Sequence, residues 1–243
     1  MNGKLLGPGP LIYAHRGDRS RGPDNTLEAY RLAVEAGADG IELDVRRTSD
    51  DKLIMSHDDR YPGHPPFIEL TLEEVKETIP QVPTFVEMLA SVPQHVSLNV
   101  EIKNFPDEAD YDLTRDTVNL VVDTIATHDT PERILLSSFD PDSVHRAAAI
   151  DPRIVRGLLI REPFDIGTGI EVATSLGVEA IHPRMTYFQP DALGLMDKIH
   201  AAGLVAVVWG ANTPGDIHTL VEAGVDVVIT DDPLMARRTI AQR

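Results

Sequence analysis

The chain has no cysteine, a single tryptophan, only 5% aromatic residues and a deficit of basic side chains. Zero cysteine excludes a disulfide framework and fits a reducing compartment. Lysine and arginine number 22 against 39 aspartates and glutamates, a net charge of −17, which weighs against nucleic acid or an anionic membrane surface as principal partner. No apolar run approaches the ~18 residues of a membrane span. The opening "MNGKLLGPGPLIYAHRG" also lacks the uninterrupted apolar region and small-residue cleavage site of an export signal. Together these absences point to a cytoplasmic protein with no membrane span. No interface is written in the sequence, and a homodimer stays open.

Hydrophobic residues at 42% are enough for a sizeable core in a chain of 243 residues, a length that one α/β barrel commonly uses. Short β-branched runs alternate with stretches of helical spacing, the pattern of a parallel sheet with crossover helices. The expected strands are 11–15, 40–45, 97–103, 134–139, 155–160, 179–183, 205–210 and 225–230. Eight such strands predict a (β/α)8 TIM barrel, one domain over 1–243. Residues 52–57 follow "GIELDVRRT" after only "SDD", so they return antiparallel as an extra hairpin strand at the rim. A short inserted region, about 58–96, then carries a Pro/Gly-rich loop and two short helices, "LTLEEVKETI" and "TFVEMLASV".

Barrel active sites form at the C-terminal ends of the strands, so polar residues finishing apolar runs carry the most weight. His15 and Arg16 end the first run, Glu42 and Asp44 the second, Glu101 and Lys103 the third; Phe139, His182, Trp209 and Asp231 end later ones. Side chains two apart share a strand face. Glu42 with Asp44, and Glu101 with Lys103, therefore face the barrel mouth, while Ile41, Leu43, Val45, Val100 and Ile102 meet the helices. One acid-x-acid pair in so acidic a chain is as readily a solvated strand end; two on neighbouring strands weigh against that. Converging buried carboxylates need a compensating cation. An all-oxygen set suits one hard divalent ion, Mg²⁺, Ca²⁺ or Mn²⁺, and the lack of Cys, His-x-His and His-Glu-x-x-His removes the usual zinc ligands. Phe139 and Trp209 could wall the pocket, with His182 and Arg184 as neighbours at the mouth.

The segments "HRG" (15–17), "PDNTLEAY" (23–30), "GIELDVRRTSDDKLIMSHD" (40–58), "LNVEIK", "SSF", "VVWGAN" and "VVITDDP" together, in this order, resemble the glycerophosphodiester phosphodiesterases over nearly the whole chain. The resemblance implies hydrolysis of a small-molecule glycerophosphodiester to sn-glycerol 3-phosphate and an alcohol. It implies Glu42, Asp44 and Glu101 as metal ligands, His15 and His57 as catalytic acid and base, and Arg16, Lys103, Asn25 and Trp209 as substrate-binding residues. Three departures stand out: Asp24 replaces the usual glutamate, Gly210 follows Trp209 where threonine is common, and no Leu-x-Arg-Thr-Thr stretch follows His57. Two other readings are a phospholipase D-like enzyme acting on lysophospholipids and a barrel that binds a phosphorylated ligand without turnover. The first would want an exposed apolar patch at the mouth, which "DDRYPGHPPFIE" does not supply. The second sits badly with two histidines and three carboxylates.

Overall fold

The computed structural model describes residues 5–7, 9–128 and 131–242. Eight parallel strands close on themselves: β1 (Leu11–His15), β2 (Gly40–Arg47), β4 (Ser97–Ile102), β5 (Ile134–Ser138), β6 (Val155–Ile160), β7 (Ala180–Pro183), β8 (Val205–Trp209) and β9 (Val227–Thr230). Each pairs with the next, and β9 and β2 both pair with β1 to complete the barrel. The short β3 (Leu53–Met55) runs antiparallel on β2, with Val45 opposite Met55. The extra hairpin strand is therefore where the short connection, residues 48–52, required it.

The two-residue period sorts the side chains. Ile41, Leu43, Val45, Leu98, Val100 and Ile102 face outward into one core with Tyr30, Ala33, Val118 and Val121 of the helices. Tyr13, Leu135, Val155, Ala180, Val207 and Val227 face inward and fill the lower barrel. Close packing there leaves no pore, so the polar inward positions are pushed to the upper end. Gly40 lacks a side chain because the Tyr13 ring occupies that space; a Cβ would lie 2.6 Å from it.

Helices α1 (Leu27–Glu35), α4 (Asp116–His128), α5 (Pro141–Ile150), α6 (Ile166–Leu176), α7 (Ala192–Ala201) and α8 (Pro214–Ala223) connect strands, and α9 (Pro233–Ala241) follows β9. α4 starts only at Asp116. Asp112 accepts from the amides of Thr114 and Asp116 at 2.8 and 2.7 Å and holds the preceding turn apart. The start of α9 is written in "DDP", with Asp232 capping the Met235 amide and Pro233 in the first turn. Between β3 and β4, α2 (Leu72–Thr78) and α3 (Phe85–Ser91) each begin with a reciprocal capping box, Thr71 with Glu74 and Thr84 with Glu87. Phe67, Val75 and Ile79 bury Ile54 of β3 beneath them. Among the described residues no helix is long and apolar enough to cross a membrane.

Candidate active site

Strand register assembles the site. Closure of β1 on β2 sets His15 beside Glu42, and the β2–β4 pairing sets Asp44 beside Glu101. The three carboxylates are buried, and each offers an oxygen within 4.8 Å of the others. Lys103, also buried, reaches back with its Nζ 2.9 Å from Asp44 Oδ1 and 2.5 Å from Glu101 Oε1. Arg16 Nε lies 3.1 Å from Asp44 Oδ2, and its Nη1 donates to Asp24 at 3.2 Å, so the shorter Asp24 still reaches it. The backbone amide of Arg16 donates to Glu42 Oε2 at 3.1 Å. Asn25 clamps Asp44 from the far side: its Nδ2 donates to Oδ2 at 2.8 Å, and its Oδ1 accepts from the Asp44 amide and the Tyr30 hydroxyl.

These contacts set the protonation of the cluster. Burial works against the Asp44 anion, but Lys103 and Arg16 outweigh it and hold its pKa well below the usual carboxylate range. Burial pushes Glu42 well upward, and the charges of Asp44 and Glu101 add to the effect. Glu101 also rises through burial, with Lys103 opposing. Glu42 Oε1 finds no hydrogen-bond partner among the described residues. With all three carboxylates ionised, Arg16 and Lys103 would leave one negative charge uncompensated, and Glu42 Oε1 stays orphaned in a buried cradle. A hard divalent cation fits both: it would satisfy that oxygen, and it would turn the local charge positive, ready for an anionic substrate.

The two imidazoles flank this cluster. His15 Nδ1 lies 2.6 Å from Asp231 Oδ1, while its Nε2 lies 3.9 Å from Glu42 Oε2. Asp231 is itself held by Arg19 at 2.8 Å and Asn212 at 2.9 Å. His57 Nδ1 lies 2.7 Å from Asp58 Oδ1. In both rings a carboxylate engages Nδ1 and leaves Nε2 as the available atom. Burial lowers the pKa of each, and for His57 the Lys103 charge lowers it further.

His15, Arg16, Glu42, His57, Glu101, Lys103, Phe139 and Trp209 all line one cavity of about 590 Å³ at the C-terminal end of the strands. Asp44 and Asn25 stand behind it. Phe139 meets Trp209 edge-on, with centroids 6.1 Å apart. Arg184 also lines the cavity, its guanidinium 5.3 Å from the Trp209 ring. His182 does not reach the mouth. It is fully buried inside the barrel, filling the space that Gly157 leaves on β6; a Cβ there would lie 2.2 Å from His182 Nε2. Strand position indicated an inward direction but not the depth.

Sequence reasoning passed over Arg46. Its side chain is wholly buried and donates to the His57 carbonyl from Nε and Nη2, at 2.9 and 2.6 Å. It also binds Asp110 at 2.7 Å and Glu108 at 2.8 Å. Arg46 thus ties the turn bearing His57 to the loop after β4. The available signal was an arginine continuing the inward-facing series of Glu42 and Asp44. Arg19 and the link from Asp231 to His15 gave no local signal at all.

A closed barrel with buried acids, fixed cations and two imidazoles at its mouth is the apparatus of a hydrolase for an anionic substrate. The profile of the glycerophosphoryl diester phosphodiesterase family matches residues 15–235. The chain belongs to that family and to its class of phosphoric diester hydrolases. It is 30% identical to a glycerophosphodiester phosphodiesterase of Caldanaerobacter subterraneus subsp. tengcongensis, over 92% of this chain and 94% of that one. The crystal structure of a glycerophosphodiester phosphodiesterase from Thermotoga maritima superposes with a TM-score of 0.80 at 26% identity, covering 97% of this chain and 99% of that one. An Oleispira antarctica phosphodiesterase, solved in complex with the product sn-glycerol-3-phosphate, superposes with a TM-score of 0.83 at 25% identity, covering 96% and 97%.

Proposed function

We propose that the protein hydrolyses glycerophosphodiesters to sn-glycerol 3-phosphate and an alcohol, using one divalent ion and the pair His15 and His57. The observation that carries this reading is the convergence of three buried carboxylates, two fixed cations and two carboxylate-anchored imidazoles on one cavity. Glu42, Asp44 and Glu101 would hold the ion, Mg²⁺, Ca²⁺ or Mn²⁺. When bound, it supplies Lewis-acid stabilisation of charge on the phosphoryl oxygens.

The chain's own residues do the rest. A phosphodiester brings one negative charge, and attack at phosphorus concentrates charge on the nonbridging oxygens, so Arg16 stabilises the transition state more than the ground state. Lys103 holds Asp44 ionised, opposes the burial that raises Glu101, and adds its positive charge to the same field. Asp231 and Asp58 hold the imidazoles by Nδ1. With lowered pKa values both rings are neutral near pH 7 and can accept a proton at Nε2; the ring that gains one returns a proton to the departing alkoxide. Phe139 and Trp209 form an apolar wall that excludes water from one side of the phosphate.

The test is product analysis. Glycerophosphocholine is incubated with the protein and each divalent metal, and glycerol 3-phosphate and choline are quantified. His15→Ala and His57→Ala should each lose on the order of 10²–10⁴-fold in kcat, while metal affinity stays near that of the parent. Near-normal turnover in both variants, or phosphocholine and glycerol as the products, would refute the reading.

A further inference from the structure

A second groove, about 550 Å³, opens from the side of the catalytic cavity and is lined almost wholly by apolar residues. Phe105, Phe139, Leu159, Arg161, Glu162 and Pro163 belong to both spaces, and the groove continues over Ile160 and Phe164 between the loops that follow β5 and β6. Phe164 is 52% exposed, a large aromatic with nothing over it. The Arg161 guanidinium marks the junction, 4.7 Å from the Phe105 ring centre and 5.2 Å from that of Phe139. The apolar surface missing from the loop after His57 is therefore built on the opposite side, from segments far apart in sequence.

A third space, about 540 Å³, opens past Arg16 and His57. Its polar groups include Arg16, Arg19, Asn25, Ser56 and Arg60, each arginine paired with a neighbouring carboxylate. The reacting centre thus lies between a cleft with many hydrogen-bonding groups and a greasy trough. A diester has two arms. Glycerol hydroxyls match the polar cleft; beyond Arg161 and Glu162, at its junction with the catalytic cavity, the trough is apolar and matches a hydrocarbon chain.

We propose that the substrate is a glycerophosphodiester whose alcohol arm is an alkyl chain. The chain lies along Phe105, Phe139 and Phe164, and the glycerol occupies the cleft beside Arg16. This rests on the hydrolysis proposed above. Water gives its oxygen to phosphorus, the bond from phosphorus to the chain-bearing oxygen breaks, and the alcohol departs with one proton.

The test is a homologous series of sn-glycero-3-phospho-n-alkanols from ethyl to octyl, with the metal-loaded protein. Leaving-group acidity barely changes along the series, so kcat/KM reports burial of the chain. A fully buried methylene corresponds to about fourfold. A rise of roughly two- to fourfold per methylene is expected, ending in a plateau once the groove is full. Phe164→Ser and Val172→Ser, both on the groove and outside the reacting centre, should flatten the rise and leave the ethyl ester's kcat/KM unchanged. Lysophosphatidylcholine with an octanoyl chain, which carries its chain on the glycerol, should gain nothing over glycerophosphocholine. A flat alkyl series, an undiminished slope in both variants, or a gain confined to the lysophospholipid would overturn the groove assignment. No turnover of even the ethyl and choline esters with any of the three metals would overturn the hydrolytic reading together with it.

Discussion

Arg46→Met separates the proposed support of His57 from its chemistry. The guanidinium is completely enclosed, while the Asp110 side chain is 6% exposed and that of Glu108 25%. Methionine fills much of the same volume but leaves Asp110, part of Glu108 and the His57 carbonyl without a donor. Breaking a buried ion pair by removing one partner typically costs about 3–5 kcal/mol. For a chain of this length each kcal/mol lowers Tm by roughly 2–4 °C, so the melting point should fall by roughly 6–20 °C. The turn carrying His57 also loses the two hydrogen bonds that fix its carbonyl. A displacement of about 1 Å at a proton-transferring group can cost on the order of 100-fold, so kcat should drop by roughly 10- to 100-fold with KM nearly unchanged. Arg46→Lys keeps the charge but not the fork of donors, and should fall between parent and methionine variant in both readouts. The assays are thermal unfolding followed by circular dichroism and steady-state kinetics on glycerophosphocholine well below the new Tm. A methionine variant within about 3 °C and twofold in kcat of the parent would refute the anchoring role.

Asp231→Asn removes the acceptor that holds His15 by Nδ1 and gives Arg19 a poorer partner; kcat should fall on the order of 10²–10⁴-fold while metal binding by calorimetry is unchanged, and parent-like kcat would show that Asp231 does not orient the ring. His182 provides a pH signature. Burial lowers its pKa from 6.5 to about 3, so the unfolded chain takes up a proton before the folded one does. The resulting stability is fully present above pH 6.5 and is lost as pH falls toward 3, at about 1.4 kcal/mol per pH unit. Urea titrations at pH 7, 6 and 5 should show the parent losing stability more steeply than His182→Gln by about one proton's worth of slope, and equal slopes would mean that His182 is not held neutral. Gly157→Ala should destabilise the barrel without touching the cavity wall, because the new methyl collides with the His182 ring; thermal unfolding checks this, and an unchanged Tm would contradict the packing.

The parts legible in the sequence were those governed by short periods. Alternation along 40–45 and 97–103 was enough to turn Glu42, Asp44 and Glu101 to one side and Ile41, Leu43 and Val100 to the other. The five-residue link 48–52 between Arg47 and Leu53 forced an antiparallel return. What stayed hidden depended on register and depth. His15 and Asp231 are 216 positions apart and meet only because β9 closes on β1. His182 ends an apolar run just as His15 does, yet a small neighbour on the adjoining strand draws it into the interior. The groove along Phe105, Phe139 and Phe164 arises from three loops, none of which is conspicuous alone. The resemblance gives Lys103 a substrate-binding role; the approach of its Nζ to Asp44 and Glu101, at 2.9 and 2.5 Å, had no signal in local spacing.

The carboxylate cluster is most directly tested by removing the ion. Protein dialysed against EDTA, then assayed for glycerol 3-phosphate release from glycerophosphocholine with and without one added divalent metal, should be inactive when stripped and recover on addition, with one ion bound per chain by calorimetry; a Glu42→Gln, Glu101→Gln double variant should do neither. Full turnover in the stripped protein, or unchanged ion binding in the double variant, would contradict the assignment of Glu42, Asp44 and Glu101 as the metal site.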